Sequence, residues 1–243
     1  MLVLLLAATG TAVATGLGAI PVFFLRERAA ELQPFLLGIA AGVMGVASIV
    51  GLLLPGLDEG SPSSVFGGLA VGIAFLLTAR AALQRREHHV AEARRAGMRT
   101  ALLVFIVLFV HSLPEGFAIG TAYASETAGL SLFVIIAIAI QNIPEGTSVA
   151  IPMATAGFSR SSQFWAAVAT SAPQPVGALL AYLLVSEISA LLPFSFGFAA
   201  GAMLALVVIE LLPEAIRSNA LIAAAGTALG ALAMVGLDLA LGI

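Results

Sequence analysis

The stretch Thr100–Ala124 reads TALLVFIVLFVHSLPEGFAIGTAYA. It is long and apolar enough to cross a bilayer, which takes about 20 such residues. Its middle nevertheless carries His111, Pro114 and Glu115. A carboxylate near mid-bilayer costs roughly 2.5–3.5 kcal/mol on insertion scales, and such residues usually face a bundle interior or a water-filled cavity. A lone helix offers no interior, so this stretch predicts a bundle with something polar at its centre.

Working outward, seven more apolar stretches are long enough to be spans. With the first, they are Leu2–Leu25, Pro34–Leu57, Val65–Ala79, Thr100–Ala124, Leu130–Thr155, Gln163–Val185, Leu191–Leu212 and Leu221–Leu241. The third is short, but Ala81–Leu83 extends it past Arg80, whose long side chain can snorkel. The first lacks a basic leading segment and a small-residue cleavage site, so it reads as a retained helix rather than a secretion signal. The sequence thus predicts an all-α integral membrane protein, one domain over 1–243, with eight transmembrane helices and kinked central ones. Composition agrees. Of 243 residues 60% are apolar and 9% charged, where a soluble domain carries about 25% charged. That excludes a water-soluble enzyme, a nucleic-acid binder and a disordered chain. There is no cysteine, hence no disulfide, thiolate metal site or cysteine nucleophile.

All ten basic residues are arginine. Arg26 and Arg28 lie between spans one and two, and Arg80, Arg85, Arg86, Arg94, Arg95 and Arg99 between three and four. Arg160 follows span five and Arg217 follows span seven. With eight spans all ten fall on one face, while Asp58, Glu59, Glu126 and Glu187 mark the other. The positive-inside rule makes the arginine face cytoplasmic, with both termini outside an inner or plasma membrane. The segment Gln84–Arg99 is then a charged cytoplasmic loop. Its His88 and His89 are a weak metal signal beside the simpler reading of a solvated loop.

Two repeats organise the chain. GIAAGVM at Gly38–Met44 matches GFAAGAM at Gly197–Met203, each followed by Leu-Leu-Pro, at Leu53–Pro55 and Leu211–Pro213. Small residues at this spacing let helix backbones approach closely. The second repeat pairs His111-Ser112-Leu113-Pro114-Glu115-Gly116 with Gln141-Asn142-Ile143-Pro144-Glu145-Gly146. Both hexapeptides sit mid-span, and interruptions at corresponding positions of two spans point to a transport site.

Spans one to six hold no arginine at mid-depth to neutralise Glu115 and Glu145. A proton, a hydrogen-bond network or a bound cation must serve instead. The spacing favours the cation. His111 and Glu115 are i,i+4 and share a helix face, as do Gln141 and Glu145. Pro114 and Pro144 have no N–H, freeing the carbonyls of Val110 and Ile140 and bending the spans. Imidazole, two carboxylates and an amide suit zinc, and would accept iron(II), manganese or cadmium.

These residues resemble the ZIP family (zinc–iron permeases). HSLPEGFAIG and QNIPEG are similar to that family's most specific motifs, as is GFAAGAM followed by VIELLPEA in span seven, and the resemblance covers essentially the whole chain. It implies a transporter that moves divalent metal ions, zinc foremost, into the cytoplasm, with no catalytic cofactor. It implies a two-metal centre, one position using Met44, His111, Glu115, Gln141 and Glu145. The second position departs from the family pattern: Ser112, Asn142 and Gln174 stand where Asn, Asp or Asn, and Glu are usual. Neutral groups there weaken the pull on a second dication, so one firm site is expected and a weak or absent second. Glu210 and Glu214 match family positions suggested for metal release. The family's spans one, four, five and six are thought to move against two, three, seven and eight, and some members form homodimers. Two other readings of the residues stand beside this one. One is a proton-coupled carrier of another solute; the other, an intramembrane metallohydrolase, lacks an HExxH motif and a separate general base.

Overall fold

The computed structural model describes residues 1–25, 28–90, 96–125 and 127–243, with the backbone alone for 83–90 and 96–100. Arg26 and Glu126 lie outside the described residues, as do the side chains of the Gln84–Arg99 segment, including His88 and His89. The fold is all helix. In order come α1 (Leu2–Leu17), α2 (Ala19–Leu25), α3 (Ala29–Ser48), α4 (Leu54–Glu59), α5 (Pro62–Val90) and α6 (Ala96–Ala124). They are followed by α7 (Leu130–Thr155), α8 (Arg160–Thr170), α9 (Pro173–Glu187), α10 (Leu192–Leu206) and α11 (Leu212–Leu241). A π turn at Ile49–Leu53 joins α3 to α4, and another at Val207–Leu211 joins α10 to α11. Each π turn ends at the first leucine of a Leu-Leu-Pro, so the internal repeat is structural as well as sequential. A proline two places on withholds the donor that a regular turn would use.

Among the described residues, seven helical stretches are long and apolar enough to cross a membrane, not the expected eight. The reason lies in the segment Pro213–Asn219. It is polar enough to read as a loop, yet it folds as helix. Pro213 sits at the start of α11, just past the π turn that accommodates its missing N–H, and Glu214 and Arg217 pair at i,i+3 on the helix surface. The expected spans seven and eight therefore belong to one helical stretch, Ser189–Leu241, of 53 residues. Its one break is at Asn219, whose backbone is extended and whose side-chain oxygen accepts from the N–H of Ile222.

The kinks also fall elsewhere than expected. α6 and α7 continue as helix through Pro114 and Pro144. Close neighbours hold both: Gly116 lies on the Gln174 carbonyl of α9, and Gly146 on the Thr15 carbonyl of α1. Expected span six, by contrast, is two helices, α8 and α9, joined by a turn at Ser171–Ala172.

Glycine contacts pair the helices. Gly116, Gly120 and Gly177 bring α6 against α9, while Gly18 and Gly146 bring α1 against α7. Gly38, Gly42, Gly226 and Gly230 bring α3 against α11, and Gly68, Gly72, Gly197 and Gly201 bring α5 against α10. In each pair residue numbers rise together along the contact, so the partners run parallel. A Cβ at any of these glycines would strike a neighbouring backbone, which is why small residues recur there.

Candidate metal site

The hexapeptides of α6 and α7 meet as their spacing predicts. His111, Ser112, Glu115, Gln141, Asn142 and Glu145 are all at most 3% exposed. Glu115 is the hub. Its Oε1 accepts from the Gln141 amide at 3.0 Å and its Oε2 from the Gln174 amide at 2.6 Å. Its carboxyl also touches that of Glu145. Among the described residues neither carboxylate has a basic partner. Two adjoining carboxyl groups in oil need a cation or a proton between them.

Three buried polar atoms of the two hexapeptides have no partner among the described residues: Nδ1 of His111, Oε1 of Gln141 and Oε1 of Glu145. Buried polar groups are rarely left so. Imidazole nitrogen, amide oxygen and carboxylate oxygen are the donor atoms a borderline dication accepts. As the side chains stand, no three His, Asp or Glu among the described residues are gathered closely enough to hold a metal.

Asn142 and Gln174 come together, but as parts of a hydrogen-bond lattice. Gln174 donates to Glu115 and, at 3.3 Å, to Asn142 Oδ1; its own Oε1 accepts from Asn142 at 3.2 Å and from Thr11 at 2.8 Å. Asn142 also donates to the Thr11 carbonyl at 2.7 Å. Ser112 donates to the Leu108 carbonyl at 3.0 Å and also lies against the Glu115 carboxyl. Thr11 escaped sequence reasoning. Thr11 and Thr15 stand at i,i+4 in α1, and Thr15 meets Ser171 at 2.6 Å, so the spacing was the available signal.

The methionines divide unexpectedly. Met44 and its repeat counterpart Met203 are both buried in the main apolar core. Met203, with Leu76, Ala202 and Leu206, also lines the narrow cleft beside His111, Pro114 and Glu115. Glu210 approaches the site, its Oε2 3.7 Å from Nε2 of His111. Glu214 does not; it lies on the surface, 3.5 Å from Arg217.

The geometry is that of an integral membrane bundle with a buried, uncompensated acidic pair at its heart, the architecture of a cation transporter. Comparison with known proteins agrees. Residues 79–238 match the family described as ZIP zinc transporter. The chain is 32% identical over 218 residues to the zinc transporter GufA of Myxococcus xanthus, covering 85% of each protein. It is 35% identical over 245 residues to the zinc transporter ZIPB of Bordetella bronchiseptica, covering 94% of this chain and 78% of that one. A putative zinc transporter of Arabidopsis thaliana is 37% identical over 212 residues, 85% of this chain, which spans about a third (33%) of the plant protein's length. The chain belongs to the ZIP family of metal transporters.

Proposed function

We propose that this protein carries zinc, or a dication of similar preference, across the membrane into the cytoplasm by way of His111, Glu115, Gln141 and Glu145. The observation that carries the reading is the contact between the buried carboxyls of Glu115 and Glu145 with, among the described residues, no basic residue at either. The relatives' names supply the choice of zinc. Asn142 and Gln174 hold Glu115 in place rather than form a second metal position, since the Gln174 amide already bonds to Glu115 and the Asn142 amide bonds to that of Gln174. One ion per protein is therefore expected. Met44 serves as core packing in this arrangement.

The orientation in the membrane is read from charge, and inward transport is what the likeness to the ZIP family implies. Arg28 and Arg160 line one cleft where α2 and α7 finish, and Arg160 donates to the Phe23 carbonyl at 3.1 Å. At another edge of the bundle Glu59 accepts from Ser125 and Thr127. The positive-inside rule puts the arginine end in the cytoplasm.

The test is zinc influx into proteoliposomes holding the full chain, with calorimetry for stoichiometry. The parent should take up zinc saturably and bind one equivalent, and Glu145→Ala should do neither. Equal uptake by both proteins would sink the site, and two tight equivalents would sink the one-ion reading.

A further inference from the structure

Glu210 stands between two basic side chains. Its Oε2 faces His111, and its Oε1 lies 3.8 Å from Nε of Arg80. A long arginine near a span's end is expected to reach outward to water. Arg80 turns back instead and donates through Nη1 to the Ile209 carbonyl at 3.2 Å. That carbonyl is free to accept because the residue four places on is Pro213, which has no N–H. The guanidinium is thus held at two points of the π turn Val207–Leu211, a vacant carbonyl and a carboxylate.

The position of this pair matters. Two of the glycine pairs, α6 with α9 and α1 with α7, enclose the buried polar residues, and the other two, α3 with α11 and α5 with α10, are almost wholly apolar, so the helices fall into two groups, α1, α6, α7 and α9 against α3, α5, α10 and α11. Among the described residues, and away from the helix ends, His111–Glu210 is the one polar side-chain contact between the groups. Arg80 and Glu210 are 34% and 21% exposed against 3% for His111, so the pair lies nearer the surface of the bundle than the buried site does.

We propose that Arg80 is a built-in competitor of the transported ion for the carboxylate of Glu210. The idea rests on the reading that His111 holds that ion. With Arg80 in place, Glu210 is neutralised. A dication arriving at the imidazole finds a carboxylate oxygen on the same side. It carries twice the charge of a guanidinium and binds oxygen directly, so it takes Glu210 over. When Arg80 returns, the ion loses that ligand and is not retained. Arg80 is a positioning residue, acting through Glu210 and never touching the ion.

The test uses the purified full chain, with zinc affinity by calorimetry and zinc influx in proteoliposomes. Arg80→Gln should bind zinc about three- to five-fold more tightly, the scale of a partly exposed ion pair, and should turn over more slowly at saturation. A change that merely loosened the fold would weaken binding instead. Arg80→Lys keeps the charge but cannot fork to both acceptors, and should tighten binding about twofold. Adding Arg80→Gln to Glu210→Gln should change nothing further. An unchanged affinity in Arg80→Gln, or the same shift in the Glu210→Gln background, overturns the proposal. If Arg80→Gln does not fold, Arg80→Lys decides, and an affinity equal to the parent's overturns it. A parent that binds no zinc overturns both this proposal and the reading beneath it.

Discussion

The two groups of helices are built alike and filled differently. Both are parallel pairs drawn together by glycines seated on a neighbour's backbone. In α3, α5, α10 and α11 the space so closed is dry, and Ser48 and Ser195 are the buried polar side chains described there. Ser48 returns its hydroxyl to its own helix, on the Met44 carbonyl. In α1, α6, α7 and α9 the same device encloses threonines, amides, a histidine and two carboxylates. Close backbone approach is therefore not a mark of function by itself. In one group it packs methyl groups; in the other it presses amides onto a carboxylate that, among the described residues, has no basic partner.

That difference predicts where damage is chemical and where it is only mechanical. The largest effect belongs to Glu115→Gln. Its hydrogen-bonded neighbours would persist in altered form, but the charge that recruits a dication would go. Zinc influx should fall about a hundredfold or more, since even outer-shell partners of metal ligands cost 10–100-fold. Thermal unfolding in detergent should change little, because an amide suits oil better than a carboxylate. A variant with near-normal influx would erase the distinction between the groups.

Next come the glycines. Gly116→Ala would thrust a methyl group into the Gln174 carbonyl, and Gly42→Ala into the Thr227 carbonyl. Each should cost about 1–3 kcal/mol by overpacking, read as a lower midpoint of thermal unfolding. The stability losses should be similar and the transport losses unequal. Gly116→Ala shifts Gln174 off Glu115 and should lower zinc affinity in the surviving folded protein, whereas Gly42→Ala should leave affinity intact. Equal losses of affinity would show that the dry group shapes the site as much as the polar one.

The comparison also explains how much could be read from the chain. The polar group announces itself, because an acidic residue inside an apolar run has few explanations and two in matching hexapeptides have fewer. The dry group offers only hydropathy and small residues. Hydropathy places its helices but does not say where one ends, so Pro213–Asn219 passed for a loop when the segment is helical up to the break at Asn219. The proline rule misled in the other direction. Pro114 and Pro144 remove donors, yet α9 and α1 lie too close for the helices to bend freely. Met44 and Met203 occupy equivalent places in a repeat, and nothing in either heptapeptide tells which one faces His111. Arg80 could not be read at all, because its partners lie 129 and 130 residues away along the chain.

Thr11→Val sharpens the contrast further. Thr11 Oγ1 donates to Gln174 Oε1 and leaves the Gln174 amide aimed at Glu115. The substitution keeps the shape and removes one interhelical hydrogen bond, worth roughly 0.6–1.7 kcal/mol within a membrane. Stability should fall by that amount and zinc affinity by a few-fold. An affinity unchanged to within error would mean that Asn142 alone fixes the orientation of Gln174.

The smallest effect separates the two glutamates at the start of α11 and just before it. Glu210 and Glu214 are one helical turn apart, and their spacing suggests a shared pathway. Their surroundings differ. Glu210 has one oxygen toward His111 and one toward Arg80, in an environment that is 21% exposed. Glu214 is 60% exposed and paired with Arg217, itself 76% exposed. An ion pair in water contributes about 0–1 kcal/mol, and its charge is screened within about 8 Å at physiological salt. Glu214→Ala should therefore leave unfolding within about 0.5 kcal/mol of the parent and zinc influx unchanged at physiological salt. An influx deficit in Glu214→Ala that vanishes at high salt would place this residue on the ion's route after all, extending the polar path from His111 past the π turn to the surface.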